Sequence, residues 1–219
     1  MHHRSVEELM THNVVRVQPD TSFKDVARSL ADNDVSALPV VDTEEHIVGI
    51  VSEVDLLRKA ADQPDASGLT LMPHPEAWER VKAEGVSARE IMSAPAMCAR
   101  PNWTMVEAAR LMSVHNVKRL PVVDEADVLV GIVSRSDLLR VFLRQDDAIH
   151  EEIRHDVLQQ TMRLAPSSLA VDVHDGQVTL SGHVESESLI PIVKRLCASV
   201  DGVVSVNGER ISPYDVSRK

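Results

Sequence analysis

Residues 35–58, VSALPVVDTEEHIVGIVSEVDLLR, return as VKRLPVVDEADVLVGIVSRSDLLR at 117–140. Adding 82 to each position lays one copy on the other without a gap: Pro39 on Pro121, Gly49 on Gly131, Ser52 on Ser134, Asp55 on Asp137. The match extends upstream, with Met10 over Met92, Pro19 over Pro101 and Ala27 over Ala109. A repeat of this length constrains architecture more than any local motif. Two copies are too few for a solenoid. The expectation is a duplicated unit whose halves pack on each other as a pseudo-two-fold pair.

Within the first copy, Ser5 with Glu8 three residues later marks a short helical turn over 5–10. Val14, Val15 and Val17 suggest an extended stretch ended by Pro19. Thr21 or Ser22 is the expected N-cap of a helix with Phe23, Val26, Ala27 and Leu30 on one face. Two apolar strands follow, Ala37 to Val41 and Ile47–Val51, around a turn at Asp42–His46. Ser52 then caps a second helix, with Leu56 and Leu57 expected inward. Each unit thus reads β–α–β–β–α. Between the units, residues 61–86 are rich in turn formers, and EAWERVKAEG suggests a short helix seated by Trp78 and Val81.

After Phe142 the periodicity changes. Ile149, Ile153, Val157 and either Gln160 or Met162 recur near helical spacing up to Pro166. LAVDVHDGQVTLSGHV alternates on both sides of Asp175-Gly176, which signals a hairpin. SESLIPIVKRLCASV reads as a helix, with Pro191 tolerable near its first turn. Asp201-Gly202 leads to a short strand, Val203–Val206. The chain is therefore expected to be α/β (α+β): repeat units at 1–60 and 87–146, a linker at 61–86, an α–β–β–α–β domain at 147–212 and a mobile tail at 213–219.

Composition narrows the functions available. The balance of 23 basic and 34 acidic residues gives a formal charge of −11, which opposes nucleic acid and anionic membrane surfaces. An anionic ligand would need local Lys or Arg. Aromatics at 2% argue against base-stacking platforms. Cys98 and Cys197 are too few for a disulfide framework and fit no metal motif. MHHRSVEELM has no apolar run of a signal peptide, and no stretch approaches a membrane helix, so a cytoplasmic location is expected.

The duplicated LPVVD…VGIVSxxDLL pattern resembles the CBS-domain family, whose units pair into a Bateman module; the likeness covers about residues 5–142. The segment VxVHDGQVTLSGHVES, a helix and VDGVVSVNGE resembles a BON domain over about residues 147–212, through Gly176, Gly182 and Gly202. The first resemblance implies a sensor of adenosine-containing ligands (AMP, ADP or ATP, with S-adenosylmethionine the further candidate) that also forms homodimers and requires no cofactor. The second implies an unknown protein or lipid partner, with phospholipid or envelope association proposed for the family. That proposal fits poorly with a chain expected to stay in the cytoplasm.

Family clefts are composite, and motif alignment carries two of them over. One would combine Ser134, Arg135, Ser136 and Asp137 with Met10, Asn13, Val15, Val35, Ser36, Ala37 and Pro39. The other would combine Ser52, Val54 and Asp55 with Met92, Pro95, Met97, Val117, Lys118, Arg119 and Pro121. The chemistry suits a nucleotide. A ribose offers two vicinal hydroxyls to a first-turn carboxylate, helix N–H groups favour phosphate, and a strand opened by Leu-Pro offers an apolar slot for adenine. Lys118-Arg119 stands where the first repeat has Ser36-Ala37, and Arg119 is suited to gripping phosphate bidentately. Glu53 would oppose an anion there, so the Asp137 cleft, with Ser134, Ser136 and nearby Arg135, is the better expectation for a nucleoside.

Plainer readings stand beside these. Ser52 and Ser134 are reasonable caps, Asp55 and Asp137 are ordinary first-turn acids, and Lys118-Arg119 suits a solvated edge. His150 and His155, five apart on a helix, do not share a face, and His174 and His183 fall on paired strands. No metal site is expected. GxSxG, HExxH and P-loop patterns are absent, and no nucleophile stands with a base, so no catalytic residue and no enzyme activity are expected. Two readings remain: a regulatory nucleotide-binding module, or a ligand-free dimerising scaffold in which Leu56, Leu57, Leu138 and Leu139 pack partly across a two-fold axis.

Overall fold

A computed structural model describes residues 3–61 and 86–214. The helix expected around Trp78 and Val81 lies outside the described residues, as does most of the expected tail. Two compact units emerge, one from residues 6–61, 86–103 and 110–134, the other from residues 3–5, 104–109 and 135–214.

In the first unit, α1 (Val6–Leu9) and α2 (Phe23–Asp32) precede the hairpin of β1 (Ala37–Val41) and β2 (Ile47–Ser52), and α3 (Glu53–Ala61) follows it. Ser22 is the cap of α2: its hydroxyl accepts the Asp25 N–H at 3.2 Å. Val26 and Leu30 of α2 bury against Leu38, Val40 and Val51 of the hairpin, with Ala88 and Ile91 closing the cluster. The repeat returns as α4 (Ala88–Ile91), α5 (Met105–Val114), β3 (Arg119–Val123) and β4 (Leu129–Ser134).

The turns of the two hairpins are built alike. Asp42 Oδ1 accepts the N–H groups of Glu44 and His46, each at 2.9 Å. Asp124 Oδ1 accepts those of Ala126 at 2.9 Å and Val128 at 3.0 Å. In each case a carboxylate replaces the backbone ladder that the turn interrupts.

The halves hold each other reciprocally. Thr11 and Ile132 exchange both backbone hydrogen bonds at 2.9 and 3.0 Å, and their equivalents Ser93 and Ile50 do so at 2.8 and 3.0 Å. Gly49 lies against Met92, whose Cγ would sit 2.9 Å from an added Cβ; Gly131 lies against Met10, whose Cγ would sit 3.0 Å away. A side chain at either glycine would displace the methionine of the opposite repeat. This is why the upstream Met10/Met92 match and the glycine match belong to one pattern.

Two expectations need correction here. The leading strand is a single bridged residue per repeat: Val17 donates to Pro39 O at 3.0 Å and accepts from Val41 at 3.0 Å, and Ala99 does the same with Pro121 and Val123. Val14 and Val15 add no ladder. Leu57 is 65% exposed, because neighbours on a helix point about 100° apart and Leu56 takes the core-facing position.

The second unit begins with α6 (Arg135–Leu139), a 3₁₀ turn (Arg140–Leu143) and α7 (Asp146–Glu152). The winding then widens into a π-helix, Ile153–Thr161, in which Met162 N–H reaches Val157 O at 2.9 Å. Wider winding keeps Ile149, Ile153 and Val157 on the buried face, with Met162 packed against the cluster. β5 (Leu169–His174) and β6 (Gln177–Val184) form the expected hairpin, with Asp175 at φ 49° and Gly176 at φ 72°. Both turn N–H groups are donated to the Asp146 carboxylate, at 2.8 and 2.9 Å, which fixes the hairpin to the start of α7.

α8 (Leu189–Ala198) buries Val193 and Cys197 against the sheet. The last strand, β7 (Ser205–Pro213), runs parallel to β6 and is longer and later than the expected Val203–Val206. Val203 and Val204 belong to the turn, where Val204 N–H reaches Gly176 O at 2.8 Å. An irregularity in the β6–β7 register breaks the alternation that would reveal the strand in sequence. Asp201, buried before this turn, accepts His3 Nδ1 at 2.8 Å and the Arg4 N–H at 2.7 Å, tying the N-terminal segment to this unit.

Candidate functional site

The end of β2 and the start of α3 place Asp55. Its side chain is 7% exposed, and its Oδ2 accepts both the N–H and the hydroxyl of Ser52, at 2.9 and 2.7 Å. Arg58 Nη1 stands 4.0 Å from Oδ1. The carboxylate is thus fixed by its own helix start, with Ser52 donating. Glu53 N–H, also in that first turn, is donated to Ser36 O at 3.1 Å.

Beside this carboxylate lies an open cavity of about 260 Å³ within the first unit. The first repeat contributes Ser52, Glu53, Val54 and Asp55 to its wall, and the second contributes Met97, Val117, Lys118 and Arg119. Seven of the residues assigned by motif to the Asp55 cleft therefore meet around one space. Val117 and Met97 supply apolar surface, Asp55 and Ser52 polar acceptors and donors, and Lys118 and Arg119 positive charge, with Glu53 in the same lining.

The other three residues of that set lie outside the lining. Met92 packs on Gly49, Pro95 is exposed, and Pro121 is buried in β3 opposite Ile50's twin, Ile132. Ser36 and Ala37, which the resemblance assigns to the Asp137 cleft, line the Asp55 cavity. The register explains this placement: Ala37 pairs with Ser52, so the entry of β1 stands beside the exit of β2, where α3 begins. Arg119, at the equivalent entry of β3, donates from Nη2 to Ser36 Oγ.

Ile50, Ser93 and Asn116 complete the lining and have no place in either motif-derived set. Ile50 and Ser93 come together through their exchanged backbone bonds. Asn116 has a positive φ of 51°, as does Asp34 at the same position of the first repeat. A polar residue just past a helix, recurring at the same offset, is the one sequence signal that would have pointed to it.

The remaining Asp137-set residues are placed as follows. Met10 packs on Gly131; Asn13 is exposed and Val15 half-buried; Val35 closes α2 through a 3.1 Å bond to Leu30 O; Pro39 is buried opposite Ile50. Ser134 ends β4, paired with Arg119. Arg135 and Ser136 are exposed at the start of α6, and Asp137, 14% exposed, stands 3.7 Å from Arg140.

Burial pushes the Cys98 thiol up to about 11 and the Cys197 thiol to about 12, so both stay protonated at neutral pH. His183 stacks on Tyr214 at 5.6 Å, while His174 pairs with Gln177 at the other end of the hairpin; the two histidines do not meet. Among the described residues, no group of three or more His, Cys, Asp or Glu is arranged to hold a metal, and no helix is long and apolar enough to cross a membrane.

Two reciprocal hairpin units sharing a composite cavity define a paired-repeat module, and the family comparison agrees. The chain belongs to the CBS domain family, whose model matches residues 6–62 and 88–144, and it carries a BON domain at 145–209. An uncharacterized protein of Methanocaldococcus jannaschii, MJ1426, is 31% identical over 154 residues, covering 63% of this chain and 90% of its own. CBSX2, a chloroplastic CBS domain-containing protein of Arabidopsis thaliana, is 30% identical over 152 residues, 64% of each chain. The crystal structure of CBSX2 in complex with AMP gives a TM-score of 0.55 at 30% identity, covering 64% of this chain and 96% of that one. The CBS pair of MJ0100, in complex with 5-methylthioadenosine and S-adenosyl-L-methionine, shares the fold at TM-score 0.52 and 23% identity, over 64% of this chain and 97% of its own.

Proposed function

We propose that this chain is a regulatory, non-catalytic sensor that binds an adenosine nucleotide in the Asp55 cavity and thereby modulates its BON domain. The observation that carries this reading is the convergence of a fixed carboxylate, an apolar wall and a basic pair on one space drawn from both repeats. Asp55 would accept the ribose hydroxyls, Val117 and Met97 would cover the adenine, and Lys118 with Arg119 would hold phosphate. The cavity, about 260 Å³ and open, lies at the small end of ligand sites. CBSX2, which carries AMP, supports the choice of ligand class. S-adenosylmethionine is an alternative ligand. Differential affinity is the physical requirement, since a ligand shifts an equilibrium only by the amount it prefers one state.

A thermal-shift screen with AMP, ADP, ATP and S-adenosylmethionine tests this. A specific nucleotide raises the melting temperature with concentration, by linkage; an unchanged melting temperature at millimolar ligand overturns the reading. The second reading, a homodimeric scaffold, is favoured by the exposure of Val54 and Leu57 on α3 (53% and 65%) and of Leu139 and Leu143 after β4 (62% and 80%). It predicts a dimer by light scattering with no nucleotide-dependent shift. A protein or phospholipid partner is proposed for the BON domain, to be tested by co-sedimentation with vesicles.

A further inference from the structure

Ser36 has no assigned role beyond lining the cavity, yet it makes two contacts there, one within its own repeat and one to the opposite repeat. Its carbonyl accepts the Glu53 N–H at 3.1 Å, which fixes it to the first turn of α3. Its hydroxyl accepts a hydrogen bond from Nη2 of Arg119, which is half-buried on the opposite repeat. The pseudo-symmetry allows no twin of this second bond. The equivalents of Ser36 and Arg119 are Lys118 and Ala37, and Ala37 has no side-chain donor. The bond therefore marks one cleft and not its counterpart.

We infer that Ser36 is a positioning residue that holds the Arg119 guanidinium at the cavity wall and so sets the preference of the Asp55 cavity for phosphorylated over unphosphorylated adenosine. This rests on the nucleotide reading above. An arginine side chain loses considerable rotamer freedom when a ligand immobilises it, and a hydroxyl that holds it beforehand removes part of that cost. The benefit goes only to ligands that use Arg119. Ser36→Ala leaves the backbone carbonyl and its bond to Glu53 in place, so it tests the hydroxyl alone. Ser36→Thr keeps a hydroxyl.

Calorimetric titration of the full chain with AMP and with adenosine reads the effect. Ser36→Ala is expected to weaken AMP roughly five-fold while adenosine changes less than about two-fold, and Ser36→Thr is expected to restore most of the loss. In an Arg119→Ala background, Ser36→Ala is expected to add nothing, since the two residues act as one unit. An equal loss for both ligands, no loss, or tighter AMP binding by Ser36→Ala overturns the inference, the last because Ser36 would then compete with the phosphate. Adenosine binding with no preference for AMP in the unaltered chain retires the inference alone. Failure of both ligands to bind the unaltered chain removes the nucleotide reading and the inference with it.

Discussion

The two repeats share a backbone and differ in the side chains at their strand entries and helix starts. Thr11–Ile132 and Ser93–Ile50, the Asp42 and Asp124 turns, and the Met92–Gly49 and Met10–Gly131 contacts are the same devices used twice. At the strand entries the repeats part: Ser36-Ala37 in one, Lys118-Arg119 in the other. Glu53-Val54 and Arg135-Ser136 part in the same way at the helix starts. The shared contacts and the differing charges thus occupy separate positions. The lattice that builds the cavity is symmetric, while the charge lining it is not.

The glycine pair tests the shared lattice and carries the largest expected effect. A Cβ at Gly49 meets both Met92 and the backbone oxygen of Ser93, at 3.1 Å, whereas the three atoms nearest a Cβ at Gly131 all belong to the Met10 side chain. A side chain can yield; a backbone oxygen held in a reciprocal bond cannot do so cheaply. Gly49→Ala is expected to lower stability by about 2–3 kcal/mol and Gly131→Ala by about 1 kcal/mol, measured by urea unfolding. Equal losses would mean that the halves relax alike and that the asymmetry is confined to side chains.

Exchanging the strand entries tests the other half of the comparison. Replacing Lys118 by Ser together with Arg119 by Ala gives the second repeat the chemistry of the first. AMP affinity is expected to fall about ten-fold or more, equivalent to about 1.4 kcal/mol, with folding unaltered. Unchanged calorimetric affinity would assign the basic pair to solvent.

The smallest effect concerns the turns. The N–H of His46, then that of Glu44, hold the Asp42 carboxyl below the usual carboxylate range. Its folded value is depressed, so its contribution is present above the unfolded carboxyl value and is lost as pH falls through the lower folded one. The melting temperature of Asp42→Asn is expected to lie slightly below that of the unaltered chain near neutrality and to converge with it in acid. A constant difference from pH 7 to pH 3 would show that the charge is immaterial.

Much of the frame was legible because it is written in periodicity. Ala37 to Val41 and Ile47–Val51 read as apolar strands, and the offset of 82 aligns Asp55 with Asp137 in the sequence itself. The cavity was legible in part, through Ser52, Asp55, Lys118 and Arg119. What escaped depends on pairing, which sequence encodes weakly. β7 was hidden by the irregularity near Gly208, the leading strand shrank to one bridged residue, and Ser36 and Ala37 fell beside Asp55 because Ala37 pairs with Ser52. Leu57 misled because an apolar pair on a helix turns only one member inward.

Calorimetric titration of AMP into the unaltered chain and into Asp55→Asn tests the central claim most directly. The substitution keeps the shape and one oxygen acceptor of a side chain fixed by Ser52, but removes the charge that is to receive the ribose hydroxyls. The account predicts saturable binding to the unaltered chain and at least a ten-fold loss in the folded variant. Binding that survives the substitution undiminished would contradict it.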